Sequence, residues 1–146
     1  MAYSDRELLA RLIQCEAGGE GDRGMRAVAT VVMNRVNAKG GEYARVGQGS
    51  IRNIIFQPYQ FVCASETENG AYNPQNIYNM RPEAIHYEIA DWAIAGGRLP
   101  EVADALWFYN PFGPNCRSRF PSDVGYWYIR IGDHCFYNPT NAYYQT

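Results

Sequence analysis

Glu16 is the residue of this sequence whose setting best fits acid–base chemistry. Leu12 and Ile13 precede it by four and three positions, so Glu16 extends an apolar stripe at helical spacing. Partial burial and the negative end of a helix dipole both disfavour ionisation, and both therefore raise the pKa of a carboxyl group. A glutamic acid that stays protonated near neutral pH is what a general acid requires. In the alternative interpretation, Glu16 faces solvent or pairs with Arg11 or Arg35.

Two helices must position this carboxyl group. Ser4 and Glu7 have the spacing of a capping box at the start of the first helix, and Gly18-Gly19 ends it. Asp22 is the expected cap of the second helix, in which apolar residues recur at helical spacing over Met25–Val36. The short connection predicts that the two helices pack antiparallel. Arg35 is expected to bind a carbonyl group or form an ion pair.

The middle of the chain alternates short helices with loops. Residues 37–49 have the composition of a loop, and Ser50 is the expected cap of a short helix over 51–56. An extended segment is predicted for 57–63, and a long surface loop for 65–80.

The last part of the chain mixes one helix with strands. The predictions are a third long helix over 82–95, a strand over 105–110, a β-hairpin of 125–131 and 134–137 around Gly132-Asp133, and a loosely held tail over 138–146. We therefore predict an α+β, mainly helical, single domain over 1–146, with its core at about 4–137 and a small C-terminal β-hairpin element.

Composition excludes several classes of protein. Hydrophobic residues make up 47% and charged residues 19% of the chain, which is typical of a globular domain. The net charge of −2 argues against binding to nucleic acid, and no apolar run is long enough for a membrane span. The N-terminus lacks the pattern of a signal peptide, so the four cysteines are expected to be free thiols rather than disulfides. Their wide spacing, without a Cys-x-x-Cys pair, argues against a zinc site. A cross-link formed later, outside the cell, stays open.

Five segments together resemble the SleB/CwlJ family of cell-wall hydrolases, the spore cortex-lytic enzymes. They are LIQCEAGGEG (12–21), AVATVVMNRV (27–36), IIFQPYQF (54–61), ALWFYN (105–110) and RIGDHCFY (130–137). The resemblance covers about residues 6–137, and its first two segments are specific when they occur together. The sequence departs from the family at Val62-Cys63, where a serine usually follows.

The resemblance implies a function and a place of action. The family's catalytic glutamate falls on Glu16, in a lysozyme-like, mainly helical fold that resembles the lytic transglycosylases. The implied substrate is the glycan strand of peptidoglycan in the spore cortex, and the implied location is the interface of cortex and coat, or otherwise the cell wall. No cofactor and no metal are expected, and a spore-coat protein is the expected anchoring partner.

Sugar contacts are assigned mainly through the segments that resemble the family. The candidate substrate-binding residues are Gln60, Phe61, Trp107, Tyr109, Tyr126 and His134. Glycosidases that hydrolyse usually employ two carboxylates. Only Glu16 has a strong case here, since the direction of Glu20 does not follow from sequence and Glu68 and Asp133 look like ordinary loop acids. One acid fits a transglycosylase.

Two other classes of function compete with this interpretation. A cysteine peptidase or amidase would need a thiolate nucleophile and a base such as His86 or His134, and a metalloamidase would need more ligands than two histidines provide. The other alternative is a non-catalytic spore-coat or peptidoglycan-binding protein.

Overall fold

The computed structural model describes residues 2–146, and its first helices follow the pattern predicted from sequence. Over this part of the chain the α-helices are α1 (Asp5–Ala17), α2 (Gly21–Val36), α3 (Gly41–Gly47), α4 (Ile51–Phe56) and α5 (Ala84–Ile94). Both predicted serine caps are present, because the hydroxyl groups of Ser4 and Ser50 accept hydrogen bonds from the backbone N–H groups of Glu7 and Asn53, each at 3.1 Å. These caps fix where α1 and α4 begin.

Helices α1, α2 and α5 pack on one another around a single hydrophobic core. The stripe of α1 is buried almost completely at Leu8, Leu9, Leu12 and Ile13. Burial of each such side chain stabilises the fold by about 1.5–3 kcal/mol. This burial holds α1 in place and so fixes its last turn, where Glu16 lies.

Three short strands and two longer strands form the β-structure of residues 2–146. The strands are β1 (Thr67–Glu68), β2 (Ala71–Tyr72), β3 (Trp107–Tyr109), β4 (Gly125–Ile131) and β5 (His134–Pro139). Strands β1 and β2 form a small hairpin, and the other sheet has the antiparallel order β3-β5-β4. Ile131 pairs with His134, so the predicted hairpin and its two-residue turn are confirmed, with a bulge between Trp127 and Ile129.

Several local predictions are wrong. Residues 37–49 contain α3, and the predicted extended segment forms a turn followed by a 3₁₀ turn at Val62–Ala64. Asp22 does not cap α2, because the helix already begins at Gly21; its carboxylate instead pairs with Arg26 at 2.8 Å. These errors are local, and tertiary packing of short segments overrides their composition.

The last residues do not form a loose tail. They form a 3₁₀ helix, Asn141–Gln145, and Tyr143 is almost completely buried. The Tyr143 hydroxyl donates to the Gly40 carbonyl oxygen at 2.8 Å and accepts from the Tyr43 backbone N–H at 3.1 Å. A buried aromatic ring with a satisfied hydroxyl anchors this segment beside α3.

The expectation of free thiols is also wrong. Cys15 pairs with Cys63 and Cys116 pairs with Cys135, across 48 and 19 positions of the chain. The missing signal pattern suggested a reducing compartment, but compartment does not determine which thiols the fold brings together. Within residues 2–146, no helix is both long enough and apolar enough to cross a membrane.

Candidate active site

A cavity of about 490 Å³ opens beside the end of α1. Its walls come from the helices, from the segment after α4 and from the sheet: Glu16, Arg35, Gln60, Phe61, Val62, Glu68, Phe108, Tyr109, Asn110, Phe112 and His134. The structure thus brings Glu16 together with four of the six candidate substrate-binding residues, Gln60, Phe61, Tyr109 and His134.

Glu16 is partly buried in this cavity, one residue before the end of α1. Burial raises the pKa of Glu16 from about 4.5 to about 7, and the positive charge of Arg35 opposes that rise. Near neutral pH the carboxyl group is therefore protonated in a larger share of molecules than an ordinary glutamate is. Such a group can donate a proton and then accept one, which are the two halves of general acid–base catalysis.

Arg35 is buried, and its side chain donates hydrogen bonds to two neutral oxygens. Its Nε donates to the Leu106 carbonyl oxygen at 2.6 Å and its Nη1 donates to Gln60 Oε1 at 3.4 Å. Binding to a carbonyl group was one of the two roles predicted from sequence. Because these partners are uncharged, the guanidinium charge is available to stabilise Glu16 once Glu16 ionises.

Gln60 is oriented by two neighbours. Its Oε1 accepts from the Tyr43 hydroxyl at 2.8 Å as well as from Arg35. The guanidinium of Arg35 also lies over the rings of Tyr43 and Phe61, at 4.6 and 4.8 Å. These contacts hold the Gln60 amide oxygen in place on the lining of the cavity.

His134 is buried at the start of β5, edge-on to Phe108 with 5.1 Å between ring centres. Its Nδ1 is buried without a hydrogen-bond partner and lies 3.9 Å from Glu20 Oε1. Burial lowers the pKa of His134, although Glu20 and Asp133 oppose that shift. The ring is therefore neutral near pH 7 and lines the cavity as a polar but uncharged surface.

Glu20, whose direction does not follow from sequence, is not among the residues that line the cavity. Its Oε1 accepts a hydrogen bond from the backbone N–H of Asp133 at 2.9 Å. A Cβ added at Gly132, which has a φ of +56°, would lie 2.4 Å from the same oxygen. Glu20 thus ties the turn between β4 and β5 to the junction of α1 and α2, and it is a structural residue.

Glu68 is the other carboxylate on the lining of this cavity. It lies in β1 and is exposed to solvent, as expected of a loop acid, yet it borders the same space as Glu16. Nothing in the periodicity of residues 65–80 indicates this. The position depends on Asn73, whose buried amide donates to the carbonyl oxygens of Val62 and Ser65 at 3.2 and 3.1 Å and so shapes the segment.

Trp107 and Tyr126 are the two candidates that the structure does not bring to this cavity. Trp107 is buried against Tyr143, with 5.4 Å between ring centres, and borders a neighbouring cavity. Tyr126 lies on exposed β4, opposite Asn138. The lining residues missed from sequence, apart from Glu68, are Arg35, Val62, Phe108, Asn110 and Phe112. Most of them fall within or beside the family-like segments, which was the one signal available.

The competing chemistries find little support. All four cysteines are paired in disulfides, so residues 2–146 offer no thiolate nucleophile. His86 Nδ1 accepts from the Glu83 backbone N–H at 2.9 Å and so caps α5. Within the described chain, no group of three or more His, Cys, Asp or Glu side chains is placed to hold a metal ion.

The fold is mainly helical, and its cleft holds a partly buried carboxylic acid, Glu16. The chain belongs to the cell wall hydrolase family, whose model matches residues 19–137. The matched range begins after Glu16, so the case for Glu16 rests on its geometry.

Individual relatives agree with this assignment. The chain is 30% identical to cell wall hydrolase CwlJ of Bacillus subtilis, over 94% of this chain and 87% of that protein. It is also 30% identical to the spore cortex-lytic enzyme of B. subtilis, over 74% of this chain and 30% of that protein. Its fold is similar to the catalytic domain of the germination-specific lytic transglycosylase SleB from Bacillus anthracis, with a TM-score of 0.65, 24% identity, and coverage of 94% and 98% of the two chains.

Proposed function

We propose that this protein is a lytic transglycosylase that cuts the glycan strand of peptidoglycan, with Glu16 as both acid and base. The observation that carries the proposal is a partly buried carboxyl group, in a cavity of about 490 Å³, whose pKa is raised to about 7. The names of the relatives support a substrate in the cell wall, and in particular the spore cortex during germination.

The reaction begins with proton transfer. Glu16 donates its proton to the oxygen that links N-acetylmuramic acid to the next N-acetylglucosamine, and the bond from C1 of the muramoyl residue to that oxygen breaks. Glu16 becomes a carboxylate, which the nearby charge of Arg35 stabilises. The carboxylate then takes the proton of the muramoyl 6-hydroxyl group, whose oxygen bonds to C1 and closes a 1,6-anhydro ring. Glu16 ends protonated, and no water is consumed.

Four residues of the cavity are proposed to hold the sugars: Gln60, Phe61, Tyr109 and His134. Gln60 supplies its amide group and His134 a neutral polar edge, while Phe61 and Tyr109 supply apolar surface. Trp107 and Tyr126 would contact only sugars that bind outside this cavity. Attachment to a spore-coat protein stays a prediction, which fractionation of spore coats would test.

The test is mass spectrometry of the fragments that the protein releases from spore cortex and from vegetative cell wall. We expect wild type to release muropeptides lighter by one water than the hydrolysed forms. Glu16→Gln should lower the rate by about 10²–10⁴-fold, since general acid–base catalysis contributes about that much. Glu7→Gln is the matched control, because Glu7 lies on the same helix and pairs with Arg11 instead of lining the cavity.

Glu68 favours a second candidate, hydrolysis of the same bond with Glu16 as acid and Glu68 as the second carboxylate. Full-mass reducing sugars that disappear with Glu68→Gln would establish it. Release of free peptides by wild type and Glu16→Gln alike would contradict both candidates.

A further inference from the structure

Tyr59 and Phe112 are large aromatic residues that leave their rings in water. Tyr59 is fully exposed and Phe112 is 91% exposed. Removal of apolar surface from water is the main driving force of folding, and neither ring contributes to it. A ring in this state can bury its surface against a ligand.

The backbone at both positions has an unfavourable conformation. The φ angles are +67° at Tyr59 and +51° at Phe112, in the left-handed region that bulky residues rarely adopt. Glycine would adopt these angles at little cost. Strain of this kind is concentrated at functional sites, so a large ring in place of glycine points to a use for the ring.

The loop that carries Phe112 is held firmly. The Phe112 backbone N–H donates to Asn110 Oδ1 at 2.7 Å, and Arg130 Nη1 donates to the Gly113 carbonyl oxygen at 2.7 Å. The Cys116–Cys135 disulfide ties the same loop to β5. The ring is therefore presented on a pre-organised support, which lowers the entropic cost of binding.

Both residues border cavities that continue the cavity of Glu16. Phe112 and Asn110 line the Glu16 cavity and also a neighbouring cavity of about 450 Å³. Tyr59 lines a cavity of about 560 Å³ that shares Phe61, Val62 and Glu68 with the Glu16 cavity. The two flanking cavities share no lining residue with each other, so they adjoin the Glu16 cavity along different parts of its rim.

We propose that Tyr59 and Phe112 determine specificity for long glycan strands. Each ring stacks on a sugar beyond the two that flank the scissile bond, one in each flanking cavity, because an aromatic face matches the apolar C–H face of a sugar ring. The inference rests on the proposed function and adds to it that the enzyme cuts within long strands in preference to short fragments.

The experiment measures kcat/KM on peptidoglycan glycan strands of increasing length. Tyr59→Ala and Phe112→Ala should each lower kcat/KM on long strands by about tenfold, and by much less on a MurNAc-GlcNAc disaccharide, which fills only the two positions that flank the scissile bond. Phe112→Trp and Tyr59→Phe should retain the preference for long strands, because both keep an aromatic face. Tyr144→Ala is the matched control, since Tyr144 is 57% exposed and borders a different cavity.

Phe112→Gly separates loss of the ring from misfolding, because glycine accepts the φ of this position. Loss of the length preference with Phe112→Gly as well as Phe112→Ala would support the proposal. If the Phe112 and Tyr59 variants are as active on long strands as Tyr144→Ala, the proposal for the two rings is overturned. The proposed role of Glu16 would be unaffected. Failure of the proposed function would look different, since wild type would then release no glycan fragments.

Discussion

Two walls of the Glu16 cavity, the helical wall and the wall made by the sheet and its loops, differ in what they offer a substrate. The helical wall presents ionisable groups that are partly or fully buried from solvent. They are Glu16 at the end of α1 and Arg35 on α2. The wall made by the sheet and its loops presents aromatic surface, from half-buried Tyr109 to exposed Phe112. A shifted pKa requires a group that is held rigidly and shielded from water, as on the helical wall. Recognition of a long polymer requires accessible surface, as on the wall made by the sheet and its loops.

Each wall is held by its own disulfide. Cys15 immediately precedes Glu16, and its bond to Cys63 joins α1 to the segment that carries Phe61. Cys135 immediately follows His134, and its bond to Cys116 holds the loop of Phe112. The first closes the longer loop of chain, so the unfolded state loses more entropy through it.

Removal of the disulfides should have the largest effect on stability, and the size of the loss should differ between the two walls. Replacement of Cys15 and Cys63 by alanine should lower the free energy of unfolding by about 4 kcal/mol, and replacement of Cys116 and Cys135 by about 3 kcal/mol, from loop closure in the unfolded chain. Urea unfolding would measure both, and each double variant is the control for the other. A larger loss from the second pair would contradict the entropic account.

Glu16→Gln, on the helical wall, should raise the free energy of unfolding at alkaline pH. Burial raises the pKa of Glu16 from about 4.5 to about 7, so above pH 4.5 the unfolded chain releases the proton more readily than the folded one. Ionisation then favours unfolding, and the full penalty, on the order of 3 kcal/mol, applies above pH 7. Urea unfolding should show this gain at pH 8 and none at pH 4. Glu7→Gln should give no such gain, because Glu7 forms an ion pair with Arg11.

The pH dependence of kcat/KM should reflect the ionisation of Glu16 on the helical wall and not that of His134 on the sheet. In the proposed mechanism protonated Glu16 is the acid, so kcat/KM should fall about tenfold per pH unit above about 7. Burial lowers the pKa of His134, so that residue does not change charge in this range. His134→Gln should therefore leave the position of the descending limb unchanged. Activity that rises above pH 7 would exclude Glu16 as the acid.

The smallest effect is expected at the rim of the wall made by the sheet and its loops. Phe112→Gly should change the free energy of unfolding by less than about 1 kcal/mol, because relief of a left-handed φ offsets the greater freedom of glycine in the unfolded chain. Tyr109→Ala should cost about 2 kcal/mol, since the Tyr109 ring stacks on Phe120 with 4.5 Å between ring centres. Thermal unfolding of the two variants would show whether rim and wall differ as proposed.

The sequence alone determined the local features, which depend on residues only a few positions apart in the chain. The cap at Ser4, the apolar stripe that Glu16 extends and the turn at Gly132-Asp133 all follow from spacing of one to four positions. Helical and strand periodicity act at that range, so these elements could be predicted from one chain. The same local pattern predicted a loop over 37–49, where packing against Tyr143 accompanies a helix instead.

Only the tertiary structure decided how distant segments meet. It paired Cys15 with Cys63, turned Glu20 toward Asp133 and brought Glu68 to the cavity of Glu16. Each of these contacts joins residues that lie tens of positions apart, and periodicity carries no information over such separations. The carboxyl group was therefore recognisable from sequence, whereas the buried setting that raises its pKa came from the packing of the whole chain.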